Sequence, residues 1–472
     1  MKFAEYARYD GLGLAALVAG GEVSAAELAQ CARQAIADKN PQLNAVLTTL
    51  HEQPFAADGP FAGVPFLVKE LILQAQGAPS RAGSRALPDL PAATDSCLMA
   101  RLRRAGLQLV GTTQTPEAGY SATTETLAFG AVHNPWRTGY SAGGSSGGSG
   151  AAVAAGLVPL AHANDGGGSI RVPASCNGLV GLKPTRDRTP TGPGASDPLF
   201  GHGIEFALTR SVRDCAALLD CVAGPDLGAP HLIAPPPHSY RAAAARDPGR
   251  LRIAVHSGSL LGTTLHADND AAVAATSQRL QALGHELVPC DFHLDFDEFA
   301  EHINVLWCAF TAAFVEQVTL ALGPGEDTER FEAVTLTCAA FGRQTTALQL
   351  IGALDYVNRI SRETAAVFEG FDCLMSATLA TPPPPHGTLD QNDPALSAIE
   401  WTHQTFRYAT NTPLFNSTGQ PAISLPLHWT ADGLPVGVQF AGRMGAEGTL
   451  LSLASQLEVD YDWQAQQQRL WQ

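Results

Sequence analysis

The stretch Gly143–Pro173 reads GGSSGGSGAAVAAGLVPLAHANDGGGSIRVP, in which nine of 31 residues are glycine and two separate clusters contain serine. Glycine allows backbone conformations closed to other residues and a close approach to another group, but it weakens a regular helix or strand. This density of glycine beside hydroxyl groups therefore indicates a site where backbone amides and serine side chains perform binding or chemistry.

Two known glycine-rich motifs do not fit this stretch. Backbone amides at a helix start bind phosphate, but neither GxxxxGK[ST] nor a strand-borne GxGxxG with a later acidic residue is present. The pentapeptide GYSAG at 139–143 matches the GxSxG nucleophile elbow, which must stand between a buried strand and a helix. Ser141 instead follows the loop sequence NPWRT at 134–138. Nucleotide binding and an elbow nucleophile at Ser141 are both disfavoured.

The composition of the 472-residue chain is that of a globular protein, with 45% hydrophobic and 16% charged residues. Its 29 basic and 45 acidic residues give a formal charge of −16, which disfavours a nucleic-acid partner. The nine cysteines form no CxxC pair, so we expect a reducing compartment, the cytoplasm. Because no run of about 18 apolar residues occurs, no membrane span is predicted.

Alternating helix and strand signals predict an α/β protein whose sheet is covered on both faces. A capping box at Ser24–Glu27 opens a helix that we expect to run to about Asp38, ahead of a proline. Further elements are predicted in the order helix 95–105, strand 107–111, helix 211–223, strand 251–256, helix 269–283 and strand 286–289.

Lysine placement supplies another signal. The chain has four lysines, and one of them, Lys69, stands within the apolar run Val64–Leu73. Burial would lower the pKa of that amine, and a neutral amine can serve as a general base. Arginine could not do so, because it does not deprotonate in proteins. The alternative, which position alone favours, is a structural salt bridge with Glu70 as the obvious partner.

Together, these segments resemble the amidase signature family. The resemblance rests on GGSSGGSGAAVAAG at 143–156 and NDGGGSIRVPASCNGLVGLKPT at 164–185, with GVPFLVKE and TPEAGYSATTE upstream and FNSTGQPAISLP and DGLPVGVQF downstream. It spans nearly the whole chain and is weakest between about 230 and 370. The motifs are nearer to those of stand-alone bacterial hydrolases, including those that open cyclic nylon oligomers, than to those of amidotransferase subunits.

The resemblance implies an α/β/α sandwich around a large twisted mixed sheet, with a mostly helical insertion. We expect one domain over 1–472, with a signature core at 63–225 and a return to the core sheet at 371–472. Between them, the residues at 230–370 follow a proline-rich linker and become mostly helical. They are interpreted as an insertion or lid near the pocket.

Carried over by motif, the family's Ser–cis-Ser–Lys triad assigns Ser169 as nucleophile, Ser145 as cis-peptide serine and Lys69 as base. The implied oxyanion hole consists of the backbone amides of Gly166, Gly167, Gly168 and Ser169. Ser146, Asp165 and Arg171 are expected to support the site, the last two as an ion pair that braces the glycine loop. Predicted substrate-binding positions are Gly143, Gly144, Tyr120 and Asn416, and specificity is expected from loops 117–124 and 411–416 and from the insertion.

Two positions depart from the family pattern. The family usually has a larger residue, often Ile or Thr, where this chain has Gly166, which would loosen the oxyanion loop or enlarge the pocket. It usually has Asp where this chain has Glu70, which would alter how Lys69 is held. Neither change removes a triad member.

The implied activity is hydrolysis of amide bonds, and by the same chemistry of aryl esters, anilides or carbamates, through an acyl-enzyme. No cofactor is expected, and no metal, because the segment 293–302 lacks the paired histidines of a zinc helix. The expected partners are a small-molecule amide, ester or carbamate, without nucleic acid or membrane, in a monomer or homodimer. Alternatives are a glutaminase subunit of an amidotransferase complex and a non-catalytic binding protein that retains the fold.

Overall fold

The computed structural model describes residues 1–51, 53–195, 197–323 and 327–471. Strands in these residues are β1 (Val46–Thr49), β2 (Val64–Lys69), β3 (Leu107–Thr113), β4 (Glu125–Thr126), β5 (Gly130–Ala131), β6 (His133–Asn134), β7 (Arg137–Ser141), β8 (Leu160–Asp165), β9 (Val180–Lys183), β10 (Ile204–Thr209), β11 (Arg252–Val255), β12 (Glu286–Pro289), β13 (Cys373–Ala377), β14 (Ala422–Trp429) and β15 (Pro435–Gly442).

Helices surround these strands. They are α1 (Phe3–Tyr6), α2 (Gly11–Ala19), α3 (Ala25–Leu43), α4 (Cys97–Arg104), α5 (Gly147–Ala154), α6 (Arg171–Asn177), α7 (Val212–Val222), α8 (Tyr240–Ala244), α9 (Ala267–Ala282), α10 (Phe296–Leu322), α11 (Asp327–Arg330), α12 (Ala333–Gln344), α13 (Ala347–Val367), α14 (Ala398–Tyr408), α15 (Pro413–Thr418), α16 (Glu447–Tyr461) and α17 (Trp463–Gln467).

One mixed sheet organises the described residues, with strand order β1-β3-β2-β8-β10-β9-β14-β15-β13-β11-β12. The pairs β2 with β3, β2 with β8, β11 with β12 and β11 with β13 are parallel, and the other neighbours are antiparallel. Successive strand residues enter different hydrophobic clusters, as Ile253 and Ala254 do in β11 and Leu374 and Met375 do in β13. Since successive side chains point to opposite faces, both faces of the sheet are buried, and the predicted sandwich is confirmed.

Local sequence signals place the predicted elements closely. The capping box at Ser24 is present, with its hydroxyl accepting from the Glu27 amide. The helix it opens continues to Leu43, beyond the expected end near Asp38. Pro41 stands in the last turn, where its missing N–H removes a single hydrogen bond, and Asn44 caps the end in the left-handed conformation.

The division at 63–225, 230–370 and 371–472 stays a prediction. Within its middle segment, β11 and β12 belong to the main sheet, so the part whose described elements are all helices begins only with α10. Helices α12, α13 and α14 contact α10. Together with α10 they form a helical layer beside the glycine loops of the signature core.

Among the described residues, α10 alone is long and apolar enough to cross a membrane by length and composition. Its buried side chains, including Phe299, Ile303 and Leu306, belong to the hydrophobic cluster that also contains residues of α12, α13 and α14. Core helices of globular proteins pass the same length and composition test, so this match is a weak indication of a membrane span.

Candidate active site

Lys69 ends the buried strand β2 and is fully enclosed, with none of its surface exposed. Its Nζ donates to Ser145 Oγ at 2.7 Å and to Asn164 Oδ1 at 2.5 Å. Burial lowers the pKa of Lys69 from 10.5 to about 7, although the negative charges of Glu205 and Asp165 oppose that change. Near neutral pH the amine is therefore divided between its charged and neutral forms.

A buried histidine and glutamate lie behind Lys69. The backbone N–H of Lys69 donates to His162 Nδ1 at 3.3 Å, and His162 Nε2 lies 2.7 Å from Glu205 Oε2. Because Nδ1 accepts this hydrogen bond, the neutral ring carries its proton on Nε2. The Nε2–H group then donates a hydrogen bond to the carboxylate. The two side chains therefore place a negative charge near the amine without contacting it.

Glu70 does not pair with Lys69, so the alternative of a salt bridge between these neighbours is wrong. Its carboxylate accepts hydrogen bonds from Arg81 Nε and Nη2 at 2.8 and 2.7 Å and from the Thr112 hydroxyl at 2.6 Å. Adjacent residues of a strand project to opposite faces, which separates the two side chains. The glutamate at position 70 thus anchors Arg81 and leaves Lys69 to Ser145 and Asn164.

Ser145 follows Gly144 through a cis peptide bond, as the resemblance implies. Its hydroxyl accepts from Lys69, and it lies just before α5. A Cβ on Gly144 would lie 2.4 Å from the carbonyl oxygen of Thr123, so only glycine fits there. Ser146 donates to the carbonyl oxygen of Asn164 at 3.3 Å and ties this turn to β8.

The glycine loop at 166–169 follows β8 and is held from within. The amide of Gly168 donates to Asp165 Oδ1 at 2.6 Å, while the carbonyl of Gly167 accepts from Thr412 Oγ1 at 2.7 Å. Gly168 therefore does not offer its amide to a substrate oxygen, and its place in the predicted oxyanion hole is wrong. The amides of Gly166, Gly167 and Ser169 have no hydrogen-bond acceptor in the described part of the chain.

The ion pair predicted between Asp165 and Arg171 is confirmed, with Arg171 Nε and Nη2 each 3.0 Å from a carboxylate oxygen. Burial alone would raise the pKa of Asp165, but the charge and hydrogen bonds of Arg171 lower it to about 2. Arg171 also donates to the carbonyl of Thr412 and to Gln439. These bonds satisfy the buried guanidinium and join the glycine loop to α15 and β15.

The four predicted substrate-binding positions separate into two pairs. Gly144 and Tyr120 line a small cavity of about 20 Å³ beside Ser169. The side chain of Asn416 instead bonds Asp165 and Arg171, so it cannot face a substrate. Gly143 is packed against the backbone of Pro173, which leaves it outside the cavities near Ser169.

The main cavity beside Ser169 and Ser145 has a volume of about 330 Å³. Most of its lining is apolar, and it includes Leu71, Leu199, Trp307, Phe310 and Phe314, with Gln74, Ser80 and Gln317 as polar groups toward solvent. Ser169 is buried, and its hydroxyl makes no hydrogen bond to another described residue. A larger groove of about 830 Å³ beside α2 and α8 contains none of the predicted site residues.

Sequence reasoning missed Asn164, His162, Glu205 and Trp307. The first two share one face of β8, because side chains two apart in a strand point the same way. In residues 160–165, His162 and Asn164 alternate with apolar residues, and this alternation was a sequence signal that could have identified both. Glu205 stands on β10, which pairs with β8, and Trp307 stands on α10, and neither carries a local motif.

Known proteins are similar to this chain in sequence and in fold. The family model described as Amidase matches residues 25–451. The 6-aminohexanoate-cyclic-dimer hydrolase of Paenarthrobacter ureafaciens is 36% identical over an alignment 481 positions long, which covers 98% of this chain and 96% of that protein. A solved structure of 6-aminohexanoate cyclic dimer hydrolase complexed with substrate matches at 33% identity and a TM-score of 0.90, covering 99% of this chain and 100% of that one.

A bacterial aryl acylamidase of the amidase signature family matches at a TM-score of 0.86 and 23% identity, covering 98% of each chain, and shares the fold. The chain thus belongs to the amidase signature family. It is an amidase, a hydrolase of amide bonds. The family resemblance and the fold class expected from the sequence motifs are confirmed.

Proposed function

We propose that this amidase hydrolyses small uncharged amides through an acyl-enzyme on Ser169, with Ser145 and Lys69 as the proton relay. The observation that carries the proposal is the buried contact between Lys69 Nζ and Ser145 Oγ at 2.7 Å. An enclosed amine whose pKa is about 7 has a neutral form that can accept a proton at neutral pH. Ser169 and Ser145 face the same cavity.

In this mechanism the Ser169 oxygen attacks the carbonyl carbon while its proton passes to Ser145 and the Ser145 proton passes to Lys69. Collapse of the tetrahedral intermediate breaks the C–N bond, and the leaving nitrogen takes a proton back through Ser145. Water then attacks the acyl-enzyme by the same relay and releases a carboxylic acid and free Ser169.

The unpartnered amides of Gly166, Gly167 and Ser169 supply donors for the oxyanion. Each such donor is worth about 2.7–4 kcal/mol in comparable hydrolases, because it is aimed in advance at the developing charge. The Gly168 amide donates to Asp165 and the Thr412 hydroxyl donates to the Gly167 carbonyl, and these two hydrogen bonds hold the loop in place. Asp165 and Arg171 therefore support the loop without entering the chemistry.

The cavity favours a neutral substrate. Asp165 is the single ionisable side chain among the lining residues in the described part of the chain, and Arg171 already pairs with it. A charged substrate would lose its hydration there without gaining a counter-ion. This argues against free glutamine, which carries both an ammonium and a carboxylate, and so against the glutaminase alternative. The similarity to a cyclic-dimer hydrolase supports a small-molecule amide.

Aryl esters, anilides and carbamates fall within the proposal, because each presents a carbonyl to Ser169 and differs in the leaving group.

All nine cysteines are free of disulfide bonds, which supports the proposed cytoplasmic location. A monomer or homodimer remains our proposal for the assembly.

The test is turnover by the purified chain of primary amides, nitroanilides, nitrophenyl esters and carbamates, with free glutamine included. Ser169→Ala should lose turnover by about 10⁴-fold or more while keeping its far-UV circular dichroism. Intact-mass analysis with a slow carbamate should show the acyl group on the wild type and not on that variant. Ser141→Ala, which alters the GxSxG serine, should remain active.

Activity that persists in Ser169→Ala, or that disappears in Ser141→Ala with the fold intact, would overturn the assignment of the nucleophile. Rapid hydrolysis of glutamine with no turnover of the other amides would overturn the proposed substrate class.

A further inference from the structure

The missing side chain at Gly166 leaves no empty space. A Cβ built there would lie 3.3 Å from Trp307 Cζ2 and Cη2 and 3.2 Å from Leu199 Cδ2, tighter than ordinary van der Waals contact. The φ of Gly166 is not in the left-handed region, so its backbone does not itself demand glycine. The indole of Trp307 therefore borders the volume into which a side chain at position 166 would project.

Trp307 is held firmly in this position. Its ring stacks on Tyr120 with centroids 4.3 Å apart and planes 18° apart, and 8% of the residue is exposed. Tyr120 is fixed in turn by the Thr402 hydroxyl and by the Trp401 indole, which donates to its backbone carbonyl at 2.8 Å. Because the Tyr120 ring that supports Trp307 is itself fixed, the indole resists displacement by a substrate.

Trp307 also borders two spaces beside Ser169. Trp307, Gly119 and Ser169 line both the main cavity of about 330 Å³ and the small cavity of about 20 Å³. The small cavity holds roughly one water molecule or methyl group. A substrate carbonyl at Ser169 thus finds ample room toward the main cavity and almost none toward the small one.

We propose that Trp307 and Gly166 form a matched pair that determines substrate size, by admitting amides that are bulky on one side of the scissile bond and compact on the other. This inference rests on the proposed acyl-enzyme chemistry at Ser169 and names its substrate class. Primary amides of bulky acids and anilides of compact acids both meet the condition. Anilides of bulky acids do not.

The experiment compares kcat/KM for these three substrate classes in the wild type, Trp307→Leu and Trp307→Phe. The wild type should hydrolyse bulky-acid anilides at least about tenfold less efficiently than its better one-sided class, and Trp307→Leu should remove most of that difference. Trp307→Phe keeps an aromatic ring on Tyr120 and breaks no internal hydrogen bond, since Trp307 Nε1 has no partner among the described residues. It should show the same trend with the fold intact.

A double-mutant cycle tests the pairing itself. Gly166→Ala should reduce kcat/KM about tenfold in the wild type and at least about threefold less than that in Trp307→Leu, because the crowding against the indole has gone while that against Leu199 remains. Thermal unfolding of the same four proteins should show matching non-additivity without relying on turnover. The control is Gly352→Ala on α13, where a Cβ meets no atom within 4 Å: it should leave kcat/KM unchanged and, because alanine favours a helix interior, raise the melting temperature by the same small amount in both Trp307 backgrounds.

Equal costs of Gly166→Ala in both backgrounds, or an unchanged ratio between substrate classes in both Trp307 variants, would overturn the inference while leaving the acyl-enzyme proposal standing. Failure of the wild type to hydrolyse all three classes, or turnover that survives Ser169→Ala, would instead overturn the proposed function.

Discussion

The pH dependence of turnover should report the charge that Glu205 places near Lys69. Burial lowers the pKa of Lys69 from 10.5 to about 7, which corresponds to about 5 kcal/mol of discrimination against the charged amine. Glu205 and Asp165 oppose burial by stabilising that charge. Removing one of these carboxylates should therefore lower the pKa of Lys69 further.

Glu205→Gln removes the charge and preserves the shape. The new amide oxygen can still accept from His162 Nε2, so the histidine can keep its contact with the Lys69 backbone. In the wild type, kcat/KM should rise with pH as the amine loses its proton near pH 7 and should fall about tenfold for each pH unit below that. In the variant the midpoint should move to lower pH by about one unit, equivalent to about 1.4 kcal/mol.

The assay is kcat/KM for one chromogenic anilide between pH 5 and 9 at constant ionic strength. Glu369→Gln, an exposed glutamate remote from the site, controls for the change in net charge. An acid limb that stays in place in Glu205→Gln, or moves to higher pH, would refute the reasoning. A parallel shift in Glu369→Gln would show that the overall charge, rather than the buried carboxylate, sets the midpoint.

Two further changes test buried charges elsewhere. Asp165→Asn leaves Arg171 buried without its counter-ion. It should lower the free energy of unfolding, measured by urea titration, by about 3–5 kcal/mol. A loss below about 1 kcal/mol would contradict the stabilising role given to the ion pair. Glu332 is 1% exposed, and burial together with the neighbouring Glu117 raises its pKa to about 8. The folded state then binds more protons than the unfolded state between about pH 4.5 and 8, so wild-type stability should fall as pH rises through that window. Glu332→Gln should lose part of that slope in melting temperatures measured from pH 5 to 9, and equal slopes would count against this assignment.

Local signals were sufficient for most individual elements. The strands at 107, 251 and 286 and the helices at 211 and 269 begin within two residues of their predicted starts. Capping serines, glycine stops and alternating apolar residues act over a few positions, so neighbouring sequence contains the information. The end of α3 was the exception, because the helix tolerates Pro41 in its final turn.

Such local signals did not predict the order of the strands in the sheet. β9 and β10 are consecutive in sequence but lie between β8 and β14, and β13 lies between β15 and β11. Strand order depends on which apolar faces meet across long loops, and these contacts leave no local pattern. For the same reason local sequence did not predict the role of Glu205, which reaches His162 only because β10 pairs with β8.

For the site, linear motifs determined the residue types and their order: Lys69 in an apolar strand, serines at 145 and 169, and glycines where the backbone must pass close to other groups. These constraints are local in character, since each motif needs its glycines and hydroxyls whatever lies beyond it. The tertiary structure alone decided that Asn164 rather than Glu70 accepts a hydrogen bond from Lys69, and that Asp165 accepts the hydrogen bond of the Gly168 amide. It also decided that Trp307 fills the space beside Gly166, because an indole 141 positions away in sequence meets that glycine only once α10 has packed against the signature core.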